Sequence, residues 1–339
     1  MNLDDRIKAF HELGDVVFDF LKENTNSKYF DLFNVACLNS FNNNGFFDKR
    51  NILLSLKNIY INLNDKSILS FLESYDHGFE NKTQNIGVIS AGNIPFVEFY
   101  DIFYILISGF NVDIKLSAKN LFLPKLILDI LMLIEPRFKY KINYSDNLPE
   151  RIDGVIASGS DLSFNLFKKK YKNIPNIIRG NKTSISFLNG EENFSDLSGL
   201  FTDMFSYYGL GCRNVNKIYV PFDYSFEHII NKVEELNVLE NKFYKDNYIY
   251  NKSLLVMLGV EFIDCDSFLL VNSQELFSPV SVINYERYVN QKETLKSVDL
   301  KKIQCIVGFD NLKFGSSQCT GFFDYPDGLD VMRFLIDNF

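Results

Sequence analysis

From residue 86 onward, short continuous apolar runs alternate with longer stretches of helical period. The runs at 86–90, 112–115, 138–143 and 154–157 read as strands buried on both faces. Between them, 95–108, 120–133 and 161–171 read as helices, the first closed by Gly109 and the second by Pro136. Strands alternating with helices predict a parallel, doubly wound sheet, whose ligands lie at the carboxyl ends of the strands. Ahead of it, Ile7, Phe10, Leu13, Val17, Phe20 and Leu21 fall near one face of a helix, and helices and loops continue to about residue 80. Beyond it, Ser195 is placed to cap a helix burying Leu197, Leu200, Phe201, Met204, Phe205 and Tyr208, ended by Gly209 and Gly211. A strand near 217–221, a helix at 227–236, strands at 254–262 and 268–271 and a closing helix at 329–339 complete the pattern.

The 339 residues suggest two domains sharing a cleft, or one large domain, at roughly 100–200 residues per domain. A formal net charge of -8 without a long basic stretch argues against a nucleic-acid partner. The densest basic run, Lys168-Lys169-Lys170-Tyr171-Lys172, reads as the solvated end of a helix. The five cysteines are odd in number and have no metal-ligand spacing, and none of His11, His77 and His228 stands in a motif, so no metal site is expected. The acidic start is not a secretory signal, and free thiols point to a reducing cytoplasm. The apolar stretches 94–110 and 121–134 fall short of about 18 uncharged residues. Glu98 and Asp101 interrupt the first, Lys125 and Asp129 the second, so buried helices are expected rather than a membrane span.

Five segments could carry chemistry. Cys212 lies in Tyr207-Tyr208-Gly209-Leu210-Gly211-Cys212-Arg213, where a helix-like run breaks and glycines let the backbone turn sharply. A thiol on such a turn can attack a carbonyl; a free cysteine is equally at home as a small buried hydrophobe, and the negative end of a preceding helix dipole would disfavour its thiolate. Asn93, in Gly92-Asn93-Ile94-Pro95, could donate to an oxyanion or simply cap the following helix. Ser158-Gly159-Ser160, between a strand and a helix, is a short phosphate-type turn without the full glycine fingerprint. Lys115-Leu116-Ser117-Ala118-Lys119 ends the second strand, and Gln274-Glu275-Leu276-Phe277-Ser278-Pro279 reads as a strand end and turn.

Taken in order, these segments resemble the aldehyde dehydrogenase superfamily. Gly92-Asn93-Ile94-Pro95 matches its W-N-F-P, Lys115-Leu116-Ser117 its K-P-S, Ser158-Gly159-Ser160 its T-G-S, and Glu275 to Pro279 its E-I-F-G-P. From about residue 84 to the end, the chain is more specifically similar to the acyl-CoA reductases that include the fatty acid reductase of bacterial bioluminescence. That likeness rests on Gly209-Leu210-Gly211-Cys212-Arg213-Asn214-Val215, on Phe314-Gly315-Ser316-Ser317-Gln318-Cys319 and on Asp324-Tyr325-Pro326-Asp327-Gly328. Where aldehyde oxidisers carry E-L-G-G, this chain reads Ile178-Arg179-Gly180-Asn181, with no carboxylate.

The resemblance implies a nucleotide-binding domain with a helical N-terminal region at 1–190, an α/β catalytic domain at 191–310, and a segment 311–339 returning to the first domain. It implies NADPH-dependent reduction of an acyl-CoA, with a fatty acyl thioester as the expected substrate, through an acyl group on Cys212, with Asn93 as oxyanion donor. Lys115, Ser117, Lys119, Ser158, Gly159, Ser160, Glu275 and Phe277 are the implied cofactor contacts, and a homo-oligomer is the implied assembly. The alternatives are an aldehyde dehydrogenase acting oxidatively, or an acyl carrier or scaffold that does not reduce.

Overall fold

The computed structural model describes residues 1–75, 79–232, 236–308 and 311–339. His77, and residues 233–235 of the helix expected at 227–236, lie outside them. The chain forms two compact units, 1–181 with 320–339, and 182–319.

The first unit opens with helices α1 (Leu3–Leu21), α2 (Phe30–Asn43), α3 (Lys49–Asn62) and α4 (Asp65–Leu72). Asn2 and Asp5 form a reciprocal capping box on α1, which buries Ile7, Phe10, Leu13, Val17 and Phe20. Five strands follow: β1 (Asn85–Ile89), β2 (Asn111–Lys115), β3 (Ile142–Tyr144), β4 (Gly154–Ser158) and β5 (Asn176–Arg179). All pair in parallel, in the order β3-β2-β1-β4-β5. Helices α5 (Phe99–Ile107), α6 (Phe122–Ile134) and α7 (Asp161–Lys170) alternate with them. The strand order reverses between β1 and β4, which makes their carboxyl ends the natural crevice of the sheet.

Two expectations change here. The helix expected from 95 begins at Phe99, because residues 95–98 form turns and Phe96 takes a left-handed φ of 58°. The strand expected at 138–143 shrinks to β3, because Pro136 starts a 3-10 turn through Tyr140 that Glu135 caps.

The second unit holds a six-stranded sheet, β11-β6-β7-β10-β9-β8. Its strands are β6 (Thr183–Phe187), β7 (Val215–Pro221), β8 (Phe262–Asp264), β9 (Leu269–Asn272), β10 (Val282–Tyr288) and β11 (Ile303–Val307), with helices α8 (Phe194–Phe205), α9 (Glu227–Lys232), α10 (Lys242–Leu258) and α11 (Gln291–Ser297). Among the described residues, only β8 and β9 pair antiparallel. Because β6 pairs with β7 and β11, the second unit starts at Lys182 rather than after 190. The chain re-enters the first unit at Thr320 rather than 311, and α12 (Val331–Asn338) joins that unit, where Met332 Sδ accepts from Ser108 Oγ at 3.4 Å.

The apolar run expected as a strand at 254–262 is mostly helix. Asn241 caps α10 through the N–H groups of Phe243 and Tyr244, and Gly259 closes it in the left-handed region. Tyr244, Tyr248 and Asn251 face inward, leaving Val256, Met257 and Leu258 exposed. The helix expected from Ser195 starts at Phe194, and its cap is Asn193, which accepts from Ser195 N and Asp196 N.

Candidate functional site

In the first unit, Asn93 sits in the loop between β1 and α5. It is not the cap of α5; that position belongs to Glu98, five residues on. Gly92 takes a φ of 67°, and a Cβ on it would lie 2.3 Å from the side chain of Ser117. Only glycine allows that approach, so the Asn93 loop and the Lys115–Lys119 segment interlock. Ser90 N donates to Lys115 O at 3.1 Å, and Asn120 Nδ2 lies 3.4 Å from Ile94 O. Lys115 and Ser117 are half-buried and Lys119 is exposed.

The third segment joins them at the neighbouring strand end. Ile89 lies opposite Ala157, so Ser158 emerges from β4 beside Ser90. Ser160 caps α7, its Oγ accepting from Ser163 N at 3.4 Å. Gly159 N donates to Arg179 O at 3.2 Å. The carboxyl ends of β1, β2 and β4 thus gather Asn93, two lysines and the start of a ten-residue helix. Cations and a helix N-terminus suit a phosphate-bearing ligand.

The sequence did not single out the groups beneath this surface. Glu98 is 2% exposed and accepts from Ser90 Oγ at 2.6 Å. Burial pushes its carboxyl up to about 7, against the opposing hydrogen bond from Ser90. Asp101, one turn on, takes a bidentate ion pair from Arg179 at 2.6 and 3.0 Å, both side chains buried. Arg179, in the 178–181 stretch, is therefore committed to Asp101. Charged residues inside an otherwise apolar run were the available signal for Glu98 and Asp101.

In the second unit, Cys212 is half-buried in a turn three residues before β7. Helix α8 stops at Phe205, seven residues earlier, not at Tyr208. The effect of a helix dipole falls off within the last turn, so α8 ends too early to act on the sulfur along the chain. Between them Tyr207, Tyr208 and Gly209 take φ values of 52°, 57° and 78°. Two consecutive aromatics in the left-handed region store strain of about 1–3 kcal/mol each, held only where surroundings over-determine them.

Asn214 supplies that hold. It is fully buried, and its Nδ2 donates to the carbonyls of Asp203, Met204 and Ser206 at 2.9, 3.3 and 2.8 Å. Its Oδ1 accepts from Gly211 N at 2.8 Å. From the other side, Ser184 Oγ donates to the carbonyl of Cys212 at 3.0 Å. Asp203, also fully buried, accepts from Gly315 N at 2.6 Å and Ser317 N at 2.9 Å. Burial raises its carboxyl, while those two donors pull the other way. Arg213 Nη1 reaches Ser317 O at 3.4 Å, so the closing Phe314–Cys319 motif is fastened to the Cys212 turn.

The Glu275 segment is tied to the same strand. Ser278 Oγ reaches Asn216 O at 3.2 Å, and Lys217 Nζ donates to Gln274 O at 2.9 Å. Asn284 Nδ2 holds the carbonyls of Glu275 and Phe277 at 3.0 and 3.1 Å. The backbone is fixed while the side chains of Glu275 and Phe277 stay exposed.

All five cysteines are free thiols. Burial pushes Cys37 up to about 11 and Cys265 up to about 12, which removes both as nucleophiles near neutral pH. Among the described residues, no group of three or more His, Cys, Asp or Glu could hold a metal, and no helix is long and apolar enough to cross a membrane.

No protein-family model and no curated protein matches the chain. Solved structures do. An aldehyde dehydrogenase from Bacillus cereus, solved as its NAD+ complex, superposes with a TM-score of 0.60 at 12% identity, over 94% of this chain and 74% of that one. An NAD-dependent aldehyde dehydrogenase from Sinorhizobium meliloti gives 0.63 at 10%, over 94% and 72%. The aldehyde dehydrogenase of Mycobacterium tuberculosis, solved with NAD+, gives 0.60 at 14%, over 85% and 70%. The chain has the aldehyde dehydrogenase-like fold, an α/β architecture built on parallel sheets.

Proposed function

We propose that this protein is an oxidoreductase of the aldehyde dehydrogenase type that reduces an acyl-CoA thioester to the aldehyde with NADPH. The observation that carries the proposal is the Cys212 turn. A half-buried thiol is held on strained backbone by a buried asparagine with four hydrogen bonds, inside a fold shared with aldehyde dehydrogenases.

In this reading the Cys212 thiolate attacks the thioester carbon. The carbonyl electrons move onto oxygen, the tetrahedral adduct collapses, and the CoA thiolate leaves, giving an acyl-enzyme. Asn93 Nδ2 and the N–H of Cys212 donate to the oxyanion. Lys115 and Lys119 neutralise the phosphate on the adenosine ribose, since the 115–119 segment carries no carboxylate to repel it. Ser158, Gly159 and Ser160 present backbone at the pyrophosphate, with the start of α7 facing it. Ser117 supports the ribose from its place against Gly92, Glu275 takes the nicotinamide ribose and Phe277 packs near the ring. When bound, NADPH supplies the hydride that reduces the acyl carbon. Residues 178–181 supply no carboxylate of their own to activate water, and Arg179 among them is paired with Asp101, which favours reduction over hydrolysis of the acyl-enzyme.

Intact mass spectrometry after addition of acyl-CoA thioesters tests the nucleophile, and NADPH oxidation tests the reduction. Wild type gains one acyl mass, and Cys212→Ala gains none and forms no aldehyde. Acyl-CoA-dependent NADPH oxidation persisting in Cys212→Ala rejects the assignment. Rapid NADP reduction with aldehyde alone, without CoA, favours the oxidative reading. An acyl adduct with no NADPH binding favours a carrier.

A further inference from the structure

We infer that Glu98 is a positioning residue: with Ser90 and Asn120 it clamps the two ends of the loop that carries Asn93, and one proton on its carboxyl decides how firmly the clamp holds. The geometry is local to the first unit. Ser90 follows β1 and Glu98 precedes α5, so their 2.6 Å bond closes the base of the loop. Asn120, 1% exposed on the neighbouring segment, reaches into the same space. Its Nδ2 lies 3.4 Å from both carboxyl oxygens of Glu98 and 3.4 Å from Ile94 O. One amide group therefore serves three acceptors at long range, and its own Oδ1 is buried with no hydrogen-bond partner.

The clamp is slack and sits in apolar surroundings. Phe96, Phe99, Ile102, Pro124, Ile127 and Leu128 line the same small cavity as Glu98, so the residues that α6 presents to it are apolar. Asp101 is the charged group facing it from its own helix, and Asp101 is taken up by Arg179 from the end of β5. In this environment the carboxyl titrates at about 7 rather than its ordinary 4.5. With the proton on, the carboxyl donates to Ser90 and the clamp is neutral. With the proton off, a buried charge remains, held by the short bond from Ser90, the long contacts from Asn120 and a bond from its own backbone N–H. Any opening that hydrates Glu98 returns it to ordinary acidity, so the open loop binds fewer protons and rising pH favours opening.

Hydrogen exchange of the amides of residues 91–94, 96 and 97 on the full chain tests this, after correction for intrinsic exchange. Between pH 6 and pH 8 the open population of wild type should rise about tenfold, the ratio expected for a group titrating near 7 in the closed form only. Glu98→Gln keeps the shape without the proton and should show no such rise. Ser90→Ala removes the bond that favours the ionised form, and should move the inflection above that of wild type. Equal pH dependence in wild type and Glu98→Gln overturns the inference, as does an unmoved inflection in Ser90→Ala.

A second arm rests on the proposed reduction. Turnover in wild type should fall across the same inflection with KM for NADPH constant, and the Glu98→Gln profile should be flat there. A flat wild-type profile beside the expected exchange would overturn the positioning role. Exchange as expected, with no acyl-CoA reduced by any form of the protein, would count against the proposed function and leave the clamp standing.

Discussion

The Asn93 loop and the Cys212 turn are each held by one buried asparagine, and the two asparagines do their work differently. Asn214 has its oxygen and both amide hydrogens in use, with four bonds between 2.8 and 3.3 Å. Asn120 spreads its amide over contacts of 3.4 Å and leaves its oxygen without a donor. The first fixes a strained turn in one shape. The second holds a loop loosely beside a carboxyl that can change charge near neutrality. A fully satisfied buried network specifies one geometry, while a partly satisfied one leaves room for two.

The largest expected effect comes from the ion pair packed below the Asn93 loop. Arg179→Met should cost about 3–5 kcal/mol in denaturant unfolding, because Asp101 is left buried and unpaired. A loss under about 1 kcal/mol would mean that the pair does not support this side of the comparison. Asn214→Ala should cost about 3 kcal/mol, since it strips the carbonyls of Asp203, Met204 and Ser206 and the N–H of Gly211 at once. It should also abolish acylation at Cys212, read by intact mass.

Glu98→Gln sharpens the contrast through pH. The folded carboxyl titrates at about 7 and an exposed one at about 4.5, so the folded state holds the extra proton between those values. Its contribution is therefore complete below pH 4.5, is lost as pH rises towards 7, and is flat above. Relative to Glu98→Gln, wild type should lose about 3 kcal/mol across that window, measured by denaturant unfolding at a series of pH values. Parallel stability curves for the two proteins would refute it. Asn120→Ala should be the mildest, about 1 kcal/mol or less, because its bonds are long and one of its groups is already unsatisfied. A cost equal to that of Asn214→Ala would erase the distinction drawn between the two loops.

Much of the first unit was legible from periodicity, because buried parallel strands are continuous apolar runs and their helices carry one clear face. The face of α1 and the strands at 85–89, 111–115 and 154–158 all follow that rule. The second unit was harder to read. The run from Leu254 to Leu258 has the composition of a strand, yet a cap at Asn241 and a left-handed Gly259 make it helix with an exposed apolar end. A short apolar run does not by itself distinguish the two states. Strands β5, β6 and β10 were not anticipated, being short or broken by Ser, Asn and charged residues, and neither was β11, a five-residue run with a glutamine in it.

By itself the sequence determined the alternation of strand and helix, the absence of metal-ligand spacing among its cysteines, and the short motifs at Asn93, Lys115, Ser158 and Cys212. These are local properties, set by side-chain period and by turn residues within a few positions. Tertiary structure decided that Asn93 is not a helix cap, that Arg179 is committed to Asp101, and that Asn214 and Asp203 gather the Cys212 turn and residues 314–318 into one network. Those outcomes depend on hydrogen bonds and burial between residues up to about a hundred positions apart, and only the folded chain brings such partners together.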